Sequence, residues 1–200
     1  MLTASSMLLA VVLALGNDPS VAAGSGAPAH HPAAKPPGIP VPTPPTIVMV
    51  GDPAPDFSYK SYDGEWRKLA DLRASGPVLL VLGPDSDELK ALQAERDRLL
   101  DLGVIPVAVC DVAPHTAFAM VRDLHLGFSV LADPQHIIAE QYNATDNHTL
   151  ATAPAWFVVD QAGNVRAVGH GAFPPSGYAT LVSKALGLPL PDEAQPAAKR

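Results

Sequence analysis

Polar and apolar positions run along the chain in blocks whose period changes several times, and each change marks an element. Val78-Leu-Leu-Val-Leu82, after Gly76-Pro77, is a continuous apolar run of strand length. A strand buried on both faces reads this way, because none of its positions has to meet water. From Ser86 to Leu102 the period becomes helical. Leu89, Leu92, Leu99 and Leu102 share one side, while Lys90, Glu95, Arg96 and Asp97 supply charge. Asp85 or Ser86 can cap this helix, and Asp87 and Glu88 suit the positive end of its dipole.

The same alternation continues downstream. Val104 to Cys110 predicts a second buried strand, His115 to Leu124 a short helix, Ser129 to Asp133 a brief strand, and Pro134 to Tyr142 another helix. Trp156 to Asp160 and Val165 to Val168 read as strands joined by the hairpin Gln161-Ala-Gly-Asn164. Gly169-His170-Gly171 reads as a surface loop, and Tyr178 to Leu186 as a last helix ended by Gly187. Upstream, Tyr62-Asp-Gly-Glu65 is an Asp-Gly turn between extended pieces, which predicts an N-terminal hairpin. Parallel strands separated by helices, then a hairpin and a final helix, describe an α/β fold with a central mixed sheet flanked by helices.

The two ends of the chain differ from this pattern. Met7-Leu-Leu-Ala-Val-Val-Leu-Ala-Leu15 is apolar but shorter than the roughly 20 residues that span a bilayer. It fits the apolar core of a signal peptide, with cleavage after Ala22 or Ala23 in Ser20-Val-Ala-Ala23. Met1 to Ser6 carries no Lys or Arg, so two locations stay open: export to the periplasm or exterior, and the cytoplasm. Residues 24–46 place proline at nearly every second or third position, which favours an extended, solvated tether. The expected organisation is a signal-like segment 1–23, a linker 24–46, a domain 47–188 and a disordered tail 189–200.

Charge and cysteine content narrow the chemistry. The net charge is −7, and no run among the 13 Lys and Arg is longer than a pair such as Arg67-Lys68. Nucleic acid needs clustered positive charge and is excluded as an expected partner. The single cysteine, Cys110, cannot form an internal disulfide or a two-cysteine redox cycle within one chain. His30-His31 is a weak metal site, and His125, His136, His148 and His170 lack the spacing of convergent ligands. No metal and no cofactor is therefore expected.

Gly51-Asp-Pro-Ala-Pro-Asp-Phe57, Asp63-Gly64, Leu69-Ala-Asp-Leu72, Cys110-Asp-Val-Ala-Pro-His115, Leu131-Ala-Asp-Pro134 and Phe157-Val-Val-Asp160 with Gly163 form an ordered set. This set resembles the peroxiredoxin superfamily, in particular its alkyl hydroperoxide reductase/thiol-specific antioxidant and redoxin branch. The resemblance implies a thioredoxin-like fold. It also implies a peroxidatic cysteine in Pro-x-x-x-Thr/Ser-x-x-Cys at the head of a helix. With Pro84 as that proline, the hydroxyl position is Glu88 and the cysteine position Ala91; shifting the frame to Ser86 gives Leu89. The family's arginine falls at Pro154. Ala153-Pro154 also resembles the cis-proline of thiol-disulfide reductases, although the facing loop Gly83-Pro-Asp-Ser86 lacks Cys-x-x-Cys.

Two functions follow from the resemblance and its departures. In one, the domain is a non-catalytic binding or accessory module that uses the cleft around Ser86, Ala153 and Pro154 for a protein partner or small ligand. In the other, Cys110 serves as the catalytic thiol of an antioxidant oxidoreductase resolved by an external thiol. The first expects a buried, inert Cys110 and the second an exposed thiolate, with His115 as its possible base. The family also makes a dimer conceivable.

Overall fold

A computed structural model of the chain describes residues 47–171, 174 and 176–190. The signal-like segment 1–23, the linker 24–46 with His30-His31, and residues 191–200 of the tail lie outside the described residues.

The Asp63-Gly64 turn closes a hairpin of β1 (Ser58–Lys60) and β2 (Trp66–Lys68). Helix α1 (Leu69–Ser75) follows directly. The domain then runs β3 (Val78–Leu82), α2 (Ser86–Asp101), β4 (Ile105–Cys110), α3 (Pro114–Asp123), β5 (Ser129–Ala132) and α4 (Ile137–Gln141). It closes with β6 (Ala155–Val159), β7 (Val165–His170) and α5 (Tyr178–Leu186). The five longer-range strands form one sheet in the order β5-β4-β3-β6-β7. Pairs β3–β4 and β4–β5 are parallel, while β3–β6 and β6–β7 are antiparallel. The fold is thus a thioredoxin-like mixed sheet between helices. The hairpin lies against β5, where Tyr62 donates its N–H to the Val130 carbonyl.

Burial explains the central strand. All five residues of β3 are buried, as a continuous apolar run requires. Leu79 and Val81 pack with Leu89, Leu92 and Leu99 of α2 and with Tyr178 and Val182 of α5. Val78, Leu80 and Leu82 pack on the other face with Leu69, Ile138 and Tyr142. Each fully buried leucine contributes about 1.5–3 kcal/mol of transfer free energy, so the two layers together hold the sheet.

Three elements differ from the sequence expectation. Helix α1 follows the hairpin without a linker and buries only Leu69, so its roughly two turns leave no periodic signal. Helix α4 begins at Ile137 rather than Pro134, because His136 adopts the left-handed region with φ 57. Strand β7 runs through Gly169 and His170, which were expected in a loop. A Cβ on Gly169 would collide with Cζ2 of Trp156, so this glycine makes room for an aromatic ring within the sheet. No helix among the described residues is long and apolar enough to cross a membrane.

Candidate functional site

Strands β3, β4 and β5 all end at one edge of the sheet, and β6, antiparallel to β3, begins there. The loops after Leu82, Cys110 and Ala132 therefore gather beside the loop before Ala155. In open α/β sheets this carboxyl edge is where ligand crevices form. Gly83 sits at its centre with φ +60, and a Cβ there would stand 3.1 Å from both the carbonyl oxygen and Cγ2 of Thr152. Only glycine meets both demands. Its N–H donates to the Val109 carbonyl at 2.9 Å, which fixes the loop leading to Ser86 against Thr152-Ala153.

The head of α2 is closed by carboxylates. Asp85 Oδ1 accepts the N–H groups of Asp87 at 2.9 Å and Glu88 at 2.8 Å. Glu88 Oε2 accepts the N–H of Asp85 at 3.1 Å, completing a capping box. Asp87 pairs with Lys90 at 2.9 Å, and that bond holds the Asp87 carboxyl below its ordinary range and raises Lys90. A thiolate placed here would face these negative groups instead of free N–H donors. Ser86 is exposed, Ala91 half-buried and Leu89 fully buried.

Cys110 ends β4 with 2% exposure. Its side chain packs into the α2/α5 layer, and burial alone pushes the thiol up to about 12. Its carbonyl accepts the N–H of Val112 at 2.8 Å and of Asp133 at 2.9 Å. His115, the second residue of α3, is exposed. Pro154 is exposed and accepts the Gly171 N–H through its carbonyl at 2.7 Å. The described residues contain no cis peptide bond, so Ala153–Pro154 is trans.

The structure also assembles groups that spacing did not reveal. His136 Nδ1 lies 3.0 Å from Thr152 Oγ1, and its Nε2 lies 3.5 Å from Asp111 Oδ1. One imidazole thus ties together the loops after β4 and β5 and the loop before β6. Beneath it, the fully buried Asp133 accepts the N–H groups of Ile137, Ile138 and Ala139 at 2.9, 2.8 and 3.2 Å. Tyr59 also bonds to Asp133; burial and that neighbour push its hydroxyl up to about 12. The Asp-Pro step at Asp133-Pro134 was the only local signal of this arrangement. No group of three or more His, Cys, Asp or Glu among the described residues can hold a metal.

The AhpC/TSA family model matches residues 50–168, more than half of the chain and all of the sheet up to Val168. The chain belongs to the AhpC/TSA family. Within this AhpC/TSA domain the one cysteine stands at the end of β4, not at the head of α2. The crystal structure of the peroxidoxin BcpB from Mycobacterium tuberculosis superposes with a TM-score of 0.61 at 19% identity. The superposition covers 70% of this chain and 95% of that chain, and it is a likeness of fold. No curated protein sequence matches the chain.

Proposed function

We propose that this AhpC/TSA-family chain is an exported, tethered redoxin domain that has lost its thiol chemistry and acts as a non-catalytic binding or accessory module. Its cleft is the carboxyl edge of the sheet, where the Gly83–Ser86 loop meets Thr152 and Ala153. The observation that carries the reading is the state of Cys110: it is the chain's only cysteine, it is buried, and its thiol is raised to about 12. Peroxide is attacked by a thiolate, and a thiol so displaced supplies almost none at neutral pH. The capping box supports the same conclusion, since Asp85 and Glu88 use the N–H groups that would otherwise stabilise an anion. Export rests on the apolar run Met7 to Leu15 and the small residues that follow it.

Stopped-flow peroxide consumption with an excess of a small dithiol tests the proposal. The expected result is a rate equal to buffer for both the native chain and Cys110→Ser. Consumption well above buffer that disappears in Cys110→Ser would establish the antioxidant alternative. For export, the full chain expressed in a Gram-negative host is expected in the periplasmic fraction, shortened to begin after Ala22 or Ala23. A full-length cytoplasmic product would remove that part of the reading.

A further inference from the structure

Away from the head of α2, the face covered by α4 holds open space. A cavity of about 700 Å³ lies between the first described residues, α4 and the end of β7. A second cavity of about 370 Å³ shares Val48, Glu140 and Asn143 with it and continues to Asp52. The two make one groove with Glu140 at their junction. Its size falls in the range of small-molecule sites, about 300–1,000 Å³.

The lining has a definite chemistry. Val48 and Tyr142 form an apolar floor, and Ile47 and Leu150 stand on the rim with 69% and 68% exposure. Isolated exposed apolar side chains are ordinary, but two facing one cavity offer a wall for an aliphatic body. The polar groups are Glu140, Asn143, Thr145, Asn147 and His170. Among the described residues no lysine or arginine lines either cavity, whereas Glu140 and Asp52 bring two carboxylates. Glu140 makes no ion pair among the described residues. Thr145 Oγ1 is buried and has no hydrogen-bond partner among the described residues. A buried hydroxyl left unpaired is costly, and a bound donor would relieve it.

We propose that this groove binds a small amphiphile with an aliphatic body and a cationic nitrogen head, of the alkylammonium class. The aliphatic part lies along Ile47, Val48 and Leu150. The ammonium sits at Glu140, on the side of the cavity lined by Thr145 and Asn147. A fatty carboxylate would fill the same apolar wall but meet Glu140 and Asp52 with no compensating lysine or arginine among the described residues, so charge selects the head group. The groove lies on the α1/α4 face and involves neither Ser86 nor Cys110, so this inference and the loss of thiol chemistry stand or fall separately.

Isothermal titration calorimetry on the full chain at pH 8, above the ordinary imidazole range, uses octylammonium and octanoate as the probes. The expected result is saturable octylammonium binding, about tenfold tighter than octanoate. Glu140→Gln is expected to bring the two probes within about threefold of each other. Leu150→Ser is expected to weaken octylammonium about fivefold through lost apolar contact. Both positions are exposed, so neither variant is expected to disturb the core, which circular dichroism checks. Side-chain amide signals of Asn143 and Asn147 are expected to move on titration. Absence of saturable binding, equal affinity for the two probes, amide signals that stay in place, or binding indifferent to both substitutions overturns the proposal.

Discussion

Two helices start at the same edge of the sheet, and each start is capped by an aspartate. At the head of α2, Asp85 accepts two N–H groups in solvent, with Glu88 returning a bond to complete the box. At the head of α4, Asp133 accepts three N–H groups with no exposure, and Tyr59 bonds to the same carboxyl. The chemical device is the same and its surroundings are opposite. Water replaces much of what Asp85 does, so that cap sets the helix start without being essential to the fold. Nothing replaces Asp133, because its loss leaves buried donors unpaired. The head of α2 is closed by carboxylates near the surface. The interlocked end, with His136 tied to Thr152 and Asp111, is structural.

The largest expected effect separates the two ends directly. Asp133→Ala should lower the unfolding free energy by about 3 kcal/mol, since several buried hydrogen bonds are lost together. Urea denaturation monitored by circular dichroism measures it. A loss no greater than that of a solvent-exposed cap would erase the distinction between the ends. Cys110 gives the next largest effect, and it depends on pH. Its thiol rises from an ordinary 9.0 to about 12 in the folded chain. The unfolded chain therefore releases its proton first as pH rises. The contribution to stability is constant below about pH 9 and falls by up to about 1.4 kcal/mol per pH unit between there and the folded value. Cys110→Ala should make the decline between pH 9 and 10 shallower, leaving the share that Tyr59, Tyr142 and Tyr178, also raised by burial, contribute as pH nears 10. Equal slopes in the two proteins would mean that the thiol is open to solvent.

The same contrast explains what could be read in the sequence. Val78–Leu82 announced itself because burial on both faces leaves a purely apolar run, and α2 because Leu89, Leu92 and Leu99 repeat at helical spacing. Asp85 was legible as a cap because capping is local, spanning three positions. The His136 clasp was not legible. Its partners lie 16 positions downstream at Thr152 and before β5 at Asp111, and its φ of 57 is imposed by packing, not by residue type. Gly169 misled for a related reason. A glycine beside a histidine and another glycine reads as a loop, and only the Trp156 ring across the strand pair shows what its missing Cβ is for. Glu88, Ala91 and Pro154 could be singled out only because the resemblance supplied a pattern to compare with. The burial of Cys110 became visible only with the sheet assembled.

The smaller effects belong to the exposed end. Asp85→Ala should cost about 1 kcal/mol, the ordinary value of an N-cap, against the larger loss at Asp133. Glu88→Gln should cost about 0.3 kcal/mol at the cap, because an amide oxygen can still accept the Asp85 N–H while the charge–dipole attraction is lost. That remainder should shrink further as salt is added, since it is a surface interaction. A second readout checks that the charge has gone while the geometry has stayed. Burial raises the Tyr178 hydroxyl first, and the Glu88 charge raises it further. Removing that charge should let Tyr178 ionise at a lower pH, seen as an earlier rise of phenolate absorbance in alkaline titration. An unchanged titration would place the Glu88 carboxylate away from α5. A loss comparable with Asp133→Ala would show that the head of α2 is as deeply integrated as the head of α4.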